Sequence, residues 1–365
     1  MMELNCLCDI YSGYAFKSFN DTSDGIPVIK IGNILSDGTI ELTDCVYTEE
    51  VPKEKYYSKK DDIYIALSGA TTGKIGVMQT DGLYVINQRV GIIRNKGKIP
   101  NDYLKYFLVS KSNQILKEAS GCAQPNISPK QISKYDISIQ TEEKMLLITQ
   151  QLKKIEVILQ NYRNQIDLLD ELVKARFVEM FGDIISNDKN WNSKPLKELC
   201  DISRGASPRP ISDYLGGTIP WIKIGDATIG DSIYINSTKE HIIKEGVRKS
   251  RFIKKGSLIF ANCGVSLGFC RIINFDGCIH DGWLAFQNID TSLNKIFLLT
   301  TINQMTGYFR KIAPGGTQPN LNTDIVGNYI QVVPPLELQN QFADFVKEVD
   351  KSRFIIKSMI KEGLL

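Results

Sequence analysis

The chain is written twice. "CDIYSGYAF" from Cys8 returns as "CDISRGASP" from Cys200, and "IPVIKIGNI" from Ile26 as "IPWIKIGDA" from Ile219. "YYSKKDDIYIA" from Tyr56 returns as "RFIKKGSLIFA" from Arg251, and "AQPNIS" from Ala123 as "TQPNLN" from Thr317. The offset stays between 192 and 195 residues across four blocks in one order. Solenoid repeats run to about 50 residues, so a period this long is a duplicated domain. Whatever one half folds into, the other must fold into as well, and 365 residues hold two such halves.

Within each copy a short apolar run, "DDIYIAL" or "GSLIFAN", leads into a glycine-rich turn, "SGATTGKIG" or "CGVSLGFC". Gly69, Gly73 and Lys74 resemble a phosphate loop, but three residues separate these glycines where that loop needs four. Ile75 follows the lysine, where a Ser or Thr would hold magnesium. The second copy puts Phe269 where the first has Lys74. What the copies share is the pair of glycines, a backbone requirement rather than a nucleotide site. Further β-branched runs ("GIPVIKIGNI", "LYVINQRVGIIR", "YDISIQ") are punctuated by Gly, Asn and Asp, which reads as strands and turns. Helical patterns appear at "NDYLKYFLVSKSNQILKEAS" and "LNKIFLLTTINQMTGYFRKIA".

Each copy ends in a longer helical pattern. No Pro or Gly interrupts residues 141–181, and apolar residues step by four and three through Ile148, Leu152, Ile155, Leu159, Tyr162, Ile166, Leu169 and Val173. A continuous helix there would extend roughly 60 Å. The second stripe begins after Pro334 and Pro335 and runs through Phe342, Val346, Val349, Ile356 and Ile360, interrupted by Arg353 where the first has Leu159. It stops at Leu365, which aligns with Glu171, and so lacks the counterpart of "LVKARFVEMFGD". Matching stripes predict two helices paired antiparallel. The expected fold is α+β: similar β-rich mixed domains at 1–140 and 183–335, with long helices at 141–182 and 336–365 forming an antiparallel coiled coil with pseudo-two-fold symmetry.

The chain is 42% hydrophobic and 23% charged, without an apolar run long enough to span a bilayer or a basic, apolar leader, so a cytoplasmic protein is expected. None of its eight cysteines lies in a C-x-x-C pair, and with only His241 and His280 to help, no zinc site is expected. No catalytic set emerges either. Neither histidine adjoins a Ser or Cys nucleophile motif, no glycine fingerprint marks S-adenosylmethionine, and "VPPL" at Val333 lacks the amide and aromatic of a base-gripping tetrad.

Binding is the better reading. Net charge is only +3, yet basic residues cluster at aligned places: Lys53, Lys55, Lys59 and Lys60 in one copy, and Lys239, Lys244, Arg248, Lys249, Arg251, Lys254 and Lys255 in the other. Such clusters suit a phosphate backbone, or equally a solvated edge. Polar side chains on the intervening loops are candidate DNA contacts: Ser68, Thr71, Thr72, Lys74, Asn87, Gln88, Arg89, Gln124 and Asn126, then Asn262, Ser266, His280, Gln318 and Asn320. The QPN loops serve a turn equally well. Two similar readers on a rigid spacer suit a split duplex site. The alternative from another class is a non-catalytic, two-headed scaffold that grips polypeptides.

"CDIYSGYAF…IPVIKIGNI", "CDISRGASP…IPWIKIGDA", the QPN loops, "PPLELQNQF" and "ARFVEMFGD" together resemble the specificity (S) subunit of type I restriction-modification systems, over nearly the whole length. The resemblance implies two target recognition domains, each reading one half of a bipartite double-stranded DNA site, and helices that set the gap. It implies docking of two methyltransferase (modification) subunits and of restriction/translocase subunits. S-adenosylmethionine, ATP and Mg2+ would then sit on those partners, with no cofactor on this chain and no catalysis by it.

Overall fold

"DDIYIAL" shows no alternation of polar and apolar residues because its strand, Ile63–Ala66, is covered on both faces. Ile63 and Ile65 face a core with Leu104, Leu108 and Ile115, while Tyr64 and Ala66 face another with Ile29, Ile34 and Ile86. The computed structural model describes residues 1–21, 24–119, 125–228, 233–264, 266–314 and 320–362. The chain divides into two units, Met1–Gln160 and Asn161–Leu365.

In the first unit an antiparallel sheet has the order Cys8–Ser12, Val90–Asn95, Ile63–Ala66, Ile75–Val77. One face packs on helices Asn101–Ser110 and Ser112–Ala119. The other packs against a second sheet, ordered Val46–Thr48, Ile26–Ile29, Val85–Ile86, whose last pair is parallel.

The second unit repeats the plan. Its first sheet runs Asp201–Arg204, Trp283–Gln287, Leu258–Ala261, Cys270–Ile273 and adds Tyr234–Ile235; its second runs Glu240–Ile242, Leu215–Ile222, Gly277–Ile279 and adds Arg251–Ile253. Helices Lys295–Gln304 and Thr306–Ile312 again cover the outer face, with Phe297 and Phe309 fully buried against Phe260 and Phe286. Both glycine-rich turns need left-handed backbone, with φ of +86° and +85° at Gly69 and Gly73 and +70° and +97° at Gly264 and Gly268. That requirement, not a nucleotide, is what the two copies retain. The QPN loops are also held alike: Leu67 O accepts from Ile127 N at 2.9 Å and Asn262 O from Leu321 N at 2.8 Å. Ser128 and Asn322 just beyond them cap the short helices Pro129–Ile132 and Thr323–Gly327.

The central helix is a single element, Glu142–Phe181, and the C-terminal helix covers Leu336–Glu362. Within the second unit they pair. Phe177 and Phe181 stack edge-on against Phe342 at 5.4 and 5.5 Å between ring centres, Arg176 lies over Phe345, and Asp170 grips Arg353. Numbers fall along one helix as they rise along the other, so the pairing is antiparallel. The phenylalanines of "ARFVEMF" are thus the buried end of the pair, adjoining Phe297 of the domain. Along the seam Phe342, Val346 and Val349 are buried, and Tyr162, Ile166, Leu169, Val173, Ile356 and Ile360 half-buried.

In the first unit the helix is turned toward its own domain. There Met145 and Thr149 are buried, and Glu156 binds Lys105 and Tyr106. Ile148, Leu152 and Leu159 remain half-buried, but Ile155, expected in the seam, is exposed, because the covered stripe of that half runs through residues 145, 149 and 156 instead. Among the described residues no helix is long and apolar enough to cross a membrane, and no group of three His, Cys, Asp or Glu side chains could hold a metal. Cys8 and Cys200 are buried, which pushes each thiol up to about 12.

Candidate nucleic-acid interface

Each domain carries a turn that passes from its second sheet to its first at an equivalent place. In the first domain it joins Val85–Ile86 to Val90–Asn95; in the second domain it joins Gly277–Ile279 to Trp283–Gln287. Asn87 N donates to Ile29 O and His280 N to Ile222 O, so Asn87 and His280 occupy the same place. Val90 N donates to Asn87 O as Trp283 N donates to His280 O. The side chains repeat the pattern. Asn87 Oδ1 accepts from Arg89 N at 3.1 Å, and His280 Nδ1 accepts from Gly282 N at 2.9 Å. The imidazole therefore mimics an Asn turn. It carries its proton on Nε2 and stays neutral at pH 7, since burial holds its pKa below the ordinary 6.5.

A glycine holds each turn from below. A Cβ on Gly13 would meet Ile86 O at 2.3 Å, and one on Gly205 would meet His280 O at 2.2 Å. Only a residue without a side chain permits that approach.

Cations and aromatic rings ring both turns. In the first domain Gln88 N donates to Tyr14 O, and Tyr14 packs on Phe16 and Tyr56. Tyr56 ends the short turn opened by Lys53, and Lys55 lies over the Tyr11 and Tyr56 rings. In the second domain Arg204 Nε donates to Asp281 O, Arg251 Nε to Arg204 O, and Ser250 Oγ to Ala206 O. Arg209, an exposed side chain, reaches Asp281 Oδ2 at 3.2 Å, while Ser207 Oγ donates to Oδ1 at 2.7 Å. Trp221 stands edge-on to His280, Lys223 lies over Trp221, and Lys249 contacts Tyr214.

A family model described as the type I restriction modification DNA specificity domain matches residues 1–174 and again residues 188–365. The chain belongs to that family. Over 185 residues it is 26% identical to the type I restriction enzyme MjaIX specificity subunit of Methanocaldococcus jannaschii, covering 49% of this chain and 43% of that protein. Over 326 residues it is 20% identical to the MjaVIII specificity subunit of the same organism, covering 82% and 75%. The chain thus spans less than half the length of the first relative and three quarters of the second. Its fold is similar to the S subunit of M. genitalium (TM-score 0.53, 15% identity, covering 100% of this chain and 92% of that one). It is also similar to a chain from a study of complex assembly and conformational transition in the type I R-M system (TM-score 0.54, 17% identity, covering 99% and 93%).

Within this specificity-domain fold the candidate residues do not share one place. Asn87, Gln88 and Arg89 form one turn and His280 lies on the other. Arg248, Lys249 and Arg251 are exposed beside it, Arg251 pairing with Ile279. Ser68 and Asn126 form a bridge, as do Cys263 and Asn320, at the same end of each sheet. Lys53 is exposed on the short turn that carries Tyr56, and Thr71 and Lys74 are half-buried in the first glycine turn. The lysine pairs stand apart. Lys59 and Lys60 precede the start of strand Ile63–Ala66, and Lys254 and Lys255 precede Leu258–Ala261, whereas the turns lie at the other ends of these strands. In both copies an aspartate ties the lysine backbone, Asp81 to Lys60 and Asp276 to Lys255.

Three candidates are inside the protein. Thr72 donates to Gly69 O, and its side chain shapes the glycine turn; Ser266 is buried in the equivalent turn; Asn262 is fully buried. None presents a polar group at the surface, because the turn residues that look polar in sequence fold back onto the sheet end. Gln124 and Gln318 lie outside the described residues. The sequence reading passed over Arg204, Ser207, Arg209 and Asp281. Aligning "INQRVG" with "IHDGWL" would have set Asp281 opposite Gln88 and Gly282 opposite Arg89, the two points where the equivalent turns differ in charge.

Proposed function

We propose that this chain is the DNA-specificity component of a type I restriction-modification complex, each domain reading one half of a bipartite duplex site. The long helices set the gap between half-sites and dock two modification subunits. S-adenosylmethionine, ATP and Mg2+ act on those and on restriction subunits, so that this chain recognises and does not catalyse, in the cytoplasm. The observation that carries the reading is the match of the family to each of two copies, in which one glycine-supported turn recurs among cations and aromatic rings. Cations at such a place neutralise phosphates, and phosphate contacts position a protein while base-edge contacts specify the site.

The test is selection from a randomised duplex library by the chain reconstituted with a modification subunit. The expected result is two short conserved blocks at fixed separation, with binding that falls steeply as salt rises. Recovery of no motif, with binding indifferent to salt, would favour a polypeptide-gripping scaffold.

A further inference from the structure

Asp281 is out of keeping with its surroundings. It is an anion whose carboxylate meets Arg209 and whose backbone carbonyl accepts from Arg204, at the place where the first domain has neutral Gln88. Facing DNA phosphates, a carboxylate there would only repel. Facing the base edges it has one favourable use, accepting from an exocyclic amine, cytosine N4 or adenine N6. Its geometry is prepared for that. Ser207 fixes one oxygen, the peptide N–H of Asp281 faces Ser207 Oγ in return, and Arg209 touches the other oxygen from a largely exposed position. Each carboxylate oxygen has a second lone pair, so these bonds leave acceptor capacity toward solvent.

Beside it, His280 has its Nδ1 committed to Gly282, which leaves Nε2–H as a donor 3.7 Å from Asp281 Oδ1. Acceptor and donor side by side match the major-groove edge of adenine, whose N6 donates and N7 accepts. They mismatch guanine, which offers two acceptors.

From this we infer that Asp281, with His280 beside it, is a specificity-determining residue that selects an amine-bearing base, adenine when both groups engage, in the half-site read by the second domain. Gln88 and Asn87 occupy the corresponding places for the first half-site, where two amides replace the carboxylate and the imidazole. The inference rests on the DNA-recognition reading above. It goes further in naming which turn reads and what it reads. Gly205 gives the turn no room to retreat, since any side chain there would collide with His280 O, so the reader is held rigid.

The experiment uses the chain reconstituted with its modification subunit, once the wild type has yielded a bipartite motif. Failure at that first step overturns the proposed function, not the base assignment. Asp281→Asn, Asp281→Glu and Ser207→Ala are then put through the same selection. The expected result for Asp281→Asn is a loss of at least tenfold in preference for the amine-bearing base at one position of one half-site, the other half-site unchanged. Ser207→Ala weakens binding and keeps the preference. A second measurement covers a variant that folds poorly. Wild-type and Asp281→Glu complexes are titrated with duplexes in which each adenine or cytosine of the half-site in turn lacks its exocyclic amine. One position is expected to show at least a tenfold wild-type loss that shrinks in Asp281→Glu. If Asp281→Asn retains every base preference, or no amine deletion couples to residue 281, the inference is overturned.

Discussion

At the scale of single residues, the two copies show which side chains answer to backbone geometry and which to recognition. Leu67 and Asn262 hold equivalent places, each backbone carbonyl accepting from the QPN loop, yet one side chain is apolar and the other an amide. Asn262 is fully buried, and neither its Oδ1 nor its Nδ2 finds a partner among the described residues. A buried polar group left without a partner costs about 1–3 kcal/mol. Asn262→Leu, which installs the residue of the first copy, is therefore expected to raise stability by about that amount. A chemical-denaturation midpoint at unchanged slope measures it, and an unchanged or lowered midpoint would show that the amide is satisfied in solution. His280 and Asp281 carry the opposite lesson: the turn is the same in both copies while the chemistry it displays is different.

At the scale of elements, much of the fold could be read from the sequence. The repeat gave both domains, and heptad spacing gave the two helices, because burial on one face leaves a period that survives in any context. The breaks in the pattern were less transparent. Arg353 sits in the seam where an apolar residue belongs, and the structure shows it bound by Asp170 across the seam and by Asp350 on its own helix. Arg353 is buried but Asp170 is about half exposed, so removing the arginine strands no fully buried charge and costs about 1–3 kcal/mol in charge-assisted hydrogen bonds. Arg353→Ala is expected to lose stability on that order, whereas Arg353→Ala combined with Asp170→Ala should lose less than the single changes added together. Thermal unfolding of the four proteins of the cycle measures the coupling, and additive losses would mean the contact is absent in solution. Ile155 was misplaced for a related reason: the heptad persists there, but the first domain turns a different stripe inward through Glu156.

At the scale of the whole molecule, the candidate site was legible only in outline. Basic residues stood out as clusters because charge is visible in sequence. Their separation to opposite ends of the sheet was not, since it depends on strand direction: Lys254 and Lys255 precede the strand whose far end adjoins the His280 turn. Asp281 went unnoticed because an acidic residue argues against DNA until its contacts with Arg204 and Arg209 are seen. The proposed function makes a demand that no single-domain reader would make, namely that both copies of the turn engage one DNA molecule together.

Hydrogen exchange of the reconstituted complex, with and without a duplex carrying its full recognition sequence, tests that demand directly. Slower exchange should appear together in peptides spanning 84–92 and 278–284, and in the Arg204–Arg209 loop, while the lysine turns at 59–62 and 254–256 change far less. Protection confined to the lysine turns, or to one recognition turn only, would contradict a two-headed reader built on the glycine-supported turns.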